Sequence, residues 1–425
     1  MCRFRTVVLF FVVLATCLAS DWPNWRGPYF TGAGDENGLP AALDDAALLW
    51  KQSMPGPAAS TPIMADGRLF VTSTHQEANG DVALCFDAAD GTPRWSKVIV
   101  TEGRQPRRNN FTSCSPVAYE GGAVFLFGDG ALVRLDADGE RVWSRDLVED
   151  FGPLTFQYGF SSSPLLYEGK LYISVLRGYK ENDPESLKSY LLCVRAEDGE
   201  TVFKHTRVTD AVREGQQAYS TPVVMNINGA AQIIVYGADY LTGHAPDTGK
   251  ELWRYCSDPQ HRPNGRVVTS PTFDGNILMC MTTRGPKTLA LDIEKLTAGE
   301  PGLVWEYDQQ GADVASPVYY KGCVYLLDDR GKILKCVNAA DGTEYWSGEL
   351  DKSDVYYASI TAADDKLFLV NRKGALTVVA ADSKEFRILS TRTIGEASVD
   401  STIAVAEGKV YLRTAENLYC FGSKD

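Results

Sequence analysis

The sequence predicts an all-β fold, an eight-bladed β-propeller of four-stranded antiparallel blades. Three observations carry that prediction. Short apolar strands alternate with Gly-bearing turns throughout residues 48–421, the signature of antiparallel meanders. Ser-Pro or Thr-Pro precedes an apolar strand at 61–62, 115–116, 163–164, 221–222, 270–271 and 316–317, with degenerate copies at Ser359-Ile360-Thr361 and Ser401-Thr402-Ile403. The serines of this signature are Ser60, Ser115, Ser163, Ser220, Ser270, Ser316, Ser359 and Ser401. Their spacing runs from 42 residues (359 to 401) to 57 (163 to 220), a period that indicates a repeat architecture. An aromatic residue then closes most units.

The stretch 316–346 shows one unit in full. Val318-Tyr319-Tyr320, Cys323 to Leu327 and Ile333 to Asn338 read as strands, and a fourth carries Trp346. Lys321-Gly322, Arg330-Gly331 and Asp341-Gly342 turn the chain between them. Such a sheet has two apolar faces and requires neighbours like itself to cover them.

Taken in order, residues 1–20 read as a signal peptide. Arg3 and Arg5 precede an apolar run from Val7 to Leu14, with small residues near Ala19. The run is too short for a spanning helix. A lipid anchor at Cys17 is the alternative, on the lipobox-like Leu14-Ala15-Thr16-Cys17. Both readings predict an exported protein of the periplasm or cell envelope. Residues 21–425 then form a single propeller domain.

Within it, Trp95, Trp143, Phe203, Trp253, Trp305 and Trp346 end successive units, each a few residues after an Asp-Gly type turn or, for Trp305, after a longer segment from Leu291 to Gly302. The seventh unit is expected to use Ile388. The eighth stops at Leu418 to Phe421, one strand short, and Leu48-Leu49-Trp50-Lys51-Gln52 is an orphan strand with its own Trp. The ring is therefore predicted to close by pairing residues 48–52 with the last blade, which removes the exposed edges. The aromatics, Trp50 included, are expected to dock blades: a Trp hides roughly 150–250 Å², worth about 4–6 kcal/mol as an upper bound.

The chain carries 42 basic and 55 acidic residues, net −13. Because 1–20 hold two Arg and no acid, the remainder stands at −15, which argues against nucleic acid or anionic membrane as a general partner. Eight cysteines lie beyond residue 20, four of them (Cys85, Cys193, Cys336, Cys420) at equivalent places in different units. Such places are too far apart to bridge, so the cysteines are expected to be free and buried.

The opening Asp21-Trp22-Pro23-Asn24-Trp25-Arg26-Gly27-Pro28, the repeats and the closing Arg413 to Cys420 together resemble the exported PQQ-binding-like β-propeller repeat proteins of planctomycetes and related bacteria. These are similar in fold to the BamB outer-membrane-assembly lipoprotein. The resemblance covers nearly all of residues 21–425 and implies two functions. One is a non-catalytic binding scaffold; the alternative is a PQQ-dependent quinoprotein oxidoreductase of alcohols or sugars. Quinoprotein dehydrogenases would add a vicinal Cys-Cys disulfide, Ca²⁺ ligands, a catalytic Asp and a Trp floor, and no two cysteines are adjacent here.

The residues themselves mark no catalytic or metal site. His75, His205, His244 and His261 are isolated in sequence. Gly128-Asp129-Gly130 reads as a hairpin turn, and no Gly-x-Ser-x-Gly elbow occurs. What remains is the funnel face, where the loops leaving each fourth strand converge. Four are long (96–112, 146–160, 206–219, 256–268), and they carry Arg104, Arg107, Arg108, Asn109, Phe111, Tyr158, Tyr219, His261, Arg262 and Arg266. Arginines with flat aromatics predict a site for a protein or an acidic glycan, with no cofactor required.

Overall fold

The computed structural model describes residues 21–75, 80–101, 109–179, 182–184, 188–282, 287–309, 311–396 and 398–424. It contains eight four-stranded antiparallel sheets. The sixth blade runs Val318–Tyr320, Cys323–Asp328, Ile333–Asn338 and Glu344–Glu349, as its turns predict. The eighth combines Ala404–Ala406, Lys409–Arg413 and Asn417–Phe421 with Leu48–Ser53. Trp50 lies opposite Cys420 and Lys51 opposite Tyr419, so the N-terminal strand closes the ring.

One register recurs in every blade. The last strand pairs with its neighbour through a β-bulge, and the docking position sits beside it: Cys85 opposite Trp95, Arg134 opposite Trp143, Cys193 opposite Phe203, Cys336 opposite Trp346. The bulge re-aims the side chain out of its own sheet. Each ring then lands on the next blade. The indole Nε1 donates to Ala88 O from Trp50 (3.3 Å), Ala137 O from Trp95 (3.1 Å), Ala196 O from Trp143 (3.0 Å), Ala339 O from Trp305 (2.9 Å) and Asp382 O from Trp346 (2.6 Å).

Two blades depart from this scheme. Trp253 donates to Gln232 Oε1 at 2.7 Å, because the fifth blade replaces its tight turn with the short helix Ile293–Thr297. In the seventh blade Ile388 does not dock: it pairs with Val379 and is 42% exposed, while Ser390 takes the docking register opposite Val378. Segment 41–45 covers that gap, with Ala41 O accepting from Ser390 Oγ at 2.7 Å.

The Ser/Thr signature forms a belt around the axis. The backbone N–H before seven of the eight first strands donates to the next blade's hydroxyl: Thr61 to Ser115, Ser115 to Ser163, Ser163 to Thr221, Thr221 to Ser270, Ser270 to Ser316, Ser316 to Ser359 and Ser359 to Thr402, all at 2.8–3.1 Å. Every donor and hydroxyl in it is buried. Buried backbone N–H groups need partners, and a hydroxyl is the smallest side chain that supplies one from a neighbouring blade.

Residues 21–40 cross the face opposite the funnel. Trp22 pairs with Met64, Pro23 O accepts from Ala118 N, and Ala33 bridges Ala362. The buried Arg26 guanidinium donates to Thr31 O and Pro317 O. The eight cysteines beyond residue 20 are free, and all but the half-buried Cys256 are buried. No described helix is long and apolar enough to cross a membrane.

Candidate functional site

The funnel face is built from the loops that enter each first strand and from the turns between second and third strands. Three neighbouring loops are tied into one ledge. Ala218 bridges Leu176 on one side and Val267 on the other, and Gln157 N donates to Gln217 Oε1 at 2.8 Å. Arg177, fully buried, holds the chain after helix Leu147–Phe151 through Pro153 O (2.6 Å) and Gly152 O (3.2 Å).

On this ledge the structure gathers Tyr158, Tyr219 and Arg266. The two rings lie 6.3 Å apart, Phe156 stands 5.5 Å from Tyr219, and the Arg266 guanidinium lies 5.0 Å from the centre of the Tyr158 ring. Tyr219 is buried, its hydroxyl donating to Gln217 Oε1 at 3.0 Å, and burial pushes its pKa well up. Tyr158 is half-buried. Asn109 joins the cluster by donating to Tyr158 O at 2.9 Å. Phe111 lies against Gly128, whose N donates to Phe111 O at 2.7 Å. Arg104, Arg107 and Arg108 lie outside the described residues.

The second basic loop is electrically matched. Arg266 is buried between Glu214 (2.8 Å) and Asp313 (3.1 Å), and Arg330 also pairs with Asp313. Arg262 pairs with Asp258 at 2.9 Å. Their charges order the loops and add little net positive field above the axis. His261 Nδ1 lies 2.8 Å from Asp239 Oδ2 and 3.7 Å from Asp210 Oδ1. The hydrogen bond to Asp239 raises the His261 pKa, whereas burial raises that of Asp239 more than its bond to His261 lowers it. Asp210 and Asp239 escape sequence reasoning, because 51 residues (210 to 261) and 22 residues (239 to 261) separate them from His261.

With this geometry in place, the chain's relatives can be compared. The family profile described as "Outer membrane protein assembly factor BamB" matches residues 29–208, 115–295 and 187–425, and the chain belongs to that family. A europium-containing methanol dehydrogenase has a similar structure (TM-score 0.71, 11% identity, 95% of this chain and 98% of that one). So has BamB from Moraxella catarrhalis (0.61, 13%, 88% and 99%). The quinohemoprotein alcohol dehydrogenase from Comamonas testosteroni gives 0.69, 14%, 95% and 81%. At these identities the likeness shows the fold. No curated relative matches by sequence.

Proposed function

We propose that this protein is an exported, non-catalytic scaffold of the cell envelope whose funnel face binds an acidic partner, either a carboxylated or sulfated glycan or an acidic segment of a protein. The observation that carries this reading is the tied ledge. Loops around Tyr158, Ala218 and Val267 are held by backbone bridges and ion pairs, so their outer groups are ordered before any ligand arrives, which lowers the entropic cost of binding. Asn109, the described residue that follows the basic run at 104–108, is fixed to Tyr158 O.

The rival reading, a PQQ-dependent oxidoreductase of alcohols or sugars, is favoured by fold likeness to dehydrogenases. Two observations weigh against it. No two cysteines are adjacent. All eight tryptophans are committed elsewhere: six to last strands, Trp22 and Trp25 to the segment on the opposite face, which leaves none for a quinone floor.

Capture from an envelope fraction tests the proposal. Wild type, Tyr158→Ala on the funnel face and Tyr29→Ala on the opposite face serve as baits, Tyr29 being 47% exposed. The partner is expected with wild type and Y29A and to be depleted with Y158A. Equal recovery by all three baits, or loss only with Y29A, contradicts a funnel-face site.

A further inference from the structure

One cluster on the funnel face is not explained by loop ordering. The two-residue turn Ala238-Asp239 joins strands Ala230–Gly237 and Tyr240–His244 in the fourth blade. Both residues have positive φ, 50° and 67°, and His261 has φ 47°. Such turns favour Gly, Asn or Asp, so Ala238 is the unusual residue here. Asp239 places a carboxylate against His261, its Oδ2 2.8 Å from Nδ1. Asp239 is 1% exposed, and its Oδ1 is buried with no hydrogen-bond partner among the described residues. Asp210, exposed on the preceding loop, accepts from Tyr240 Oη at 2.8 Å. His261 Nδ1 and one oxygen from each carboxylate lie within 4.8 Å of one another. The nearby arginines are engaged elsewhere, Arg262 with Asp258 and Arg254 with Glu251.

We propose that Asp210, Asp239 and His261 form a binding site for a divalent transition-metal ion of the zinc or manganese class. A buried carboxylate oxygen without a donor is costly, and the proton on Nδ1 serves only the other oxygen. A metal ion in that proton's place attracts the whole carboxylate and draws in Asp210. One imidazole nitrogen with two carboxylates suits zinc, manganese or cobalt better than calcium or magnesium, which take all-oxygen shells. At metal–ligand distances of about 2.0–2.2 Å, neighbouring ligand atoms of a tetrahedral site stand roughly 3.3–3.6 Å apart. The observed separations of 2.8 and 3.7 Å from Nδ1 bracket that range. Three protein ligands leave at least one position for water or an anionic group, as open rather than structural sites do. The site is independent of what the ledge binds.

The test uses chelator-treated full-length protein titrated with Zn²⁺ by calorimetry and with Co²⁺ by visible absorption. One equivalent of each metal is expected, with cobalt ligand-field bands and no thiolate charge-transfer band. His261→Gln should weaken binding at least tenfold. Asp210→Asn, at a side chain 63% exposed, should do the same and carries the test if H261Q misfolds. No saturable binding by wild type, or binding undiminished in the folded variants, overturns the proposal. So does a thiolate band, which would place the ion on Cys256.

Discussion

The indole of Trp50 lies flat enough on Gly91 that a Cβ there would come within 2.6 Å of the ring. Trp50 belongs to the last blade and Gly91 to the first, so this contact is where the ring closes. The same pairing recurs around the ring, with Gly139 on Trp95, Gly199 on Trp143, Gly249 on Phe203 and Gly342 on Trp305. The turn glycine is needed twice: for its positive φ (75° at Gly91) and for the room it leaves the ring.

That double need separates experimentally. Gly67 also has positive φ, 67°, but nothing lies within 4 Å of its would-be Cβ. Gly67→Ala should cost only the backbone term, roughly 1–2 kcal/mol. Gly91→Ala adds overpacking and should cost roughly 2–4 kcal/mol, and Trp50→Ala about 3–5. Denaturant melts measure all three, and equal losses for G67A and G91A would contradict ring docking at Gly91.

The hydroxyl belt makes a second prediction. Ser316 Oγ accepts from Ser270 N at 2.9 Å. Ser316→Ala strands a buried N–H and should cost roughly 1–3 kcal/mol. Ser316→Thr should lose much less, because Thr fills the same role at positions 221 and 402. Equal destabilisation by Ala and Thr would mean that packing, not the hydrogen bond, fixes the position.

Acid should loosen the closing blade first. Glu396 accepts from Lys51 (3.0 Å), Thr414 (2.6 Å), Asn417 (2.8 Å) and the Tyr419 hydroxyl. Burial alone would raise its pKa, but these bonds outweigh burial and hold it down to about 2 from an ordinary 4.5. The folded value lies below the unfolded one, so this stabilisation is complete above about pH 5 and is lost as pH falls toward 2. Glu396→Gln should be less stable by ~2–3 kcal/mol at pH 7, with the gap closing between pH 4.5 and 2. Parallel stability curves over that window would show that Glu396 is not held ionised.

The oxidoreductase rival has its own readout. Protein supplied with PQQ and Ca²⁺ should show no saturable quinone absorbance and no dye reduction with alcohols or aldose sugars. Stoichiometric reconstitution with turnover would displace the scaffold reading.

Much of the fold was legible because its signals are local. Strands, Asp-Gly turns and closing aromatics sit within each unit, and the orphan strand at 48–52 carries the same Trp as the others. Ile388 was misplaced because the bulge before the docking position shifts the register, which gives that place to Ser390. The path of residues 21–40 has no periodicity to announce it, and its partners Met64, Ala118 and Ala362 come from three different blades. The site was legible only as loops. Tyr158, Tyr219 and Arg266 do meet, but the pairing of Arg266 with Glu214 and Asp313 joins three loops, and no short-range pattern encodes it.

Because Arg262 and Arg266 are matched by acids, the basic run Arg104, Arg107 and Arg108 becomes the decisive element of the funnel-face reading. The direct measurement is binding to an array of carboxylated and sulfated glycans and acidic peptides at rising salt, for wild type and for the triple change of these three arginines to Gln. Binding by wild type should weaken as the Debye length shrinks from about 10 Å at 0.1 M salt to about 3 Å at 1 M. The triple variant should not bind, while melting as wild type does. Binding that survives the triple change, or a wild type that binds none of these acidic ligands, would contradict the account.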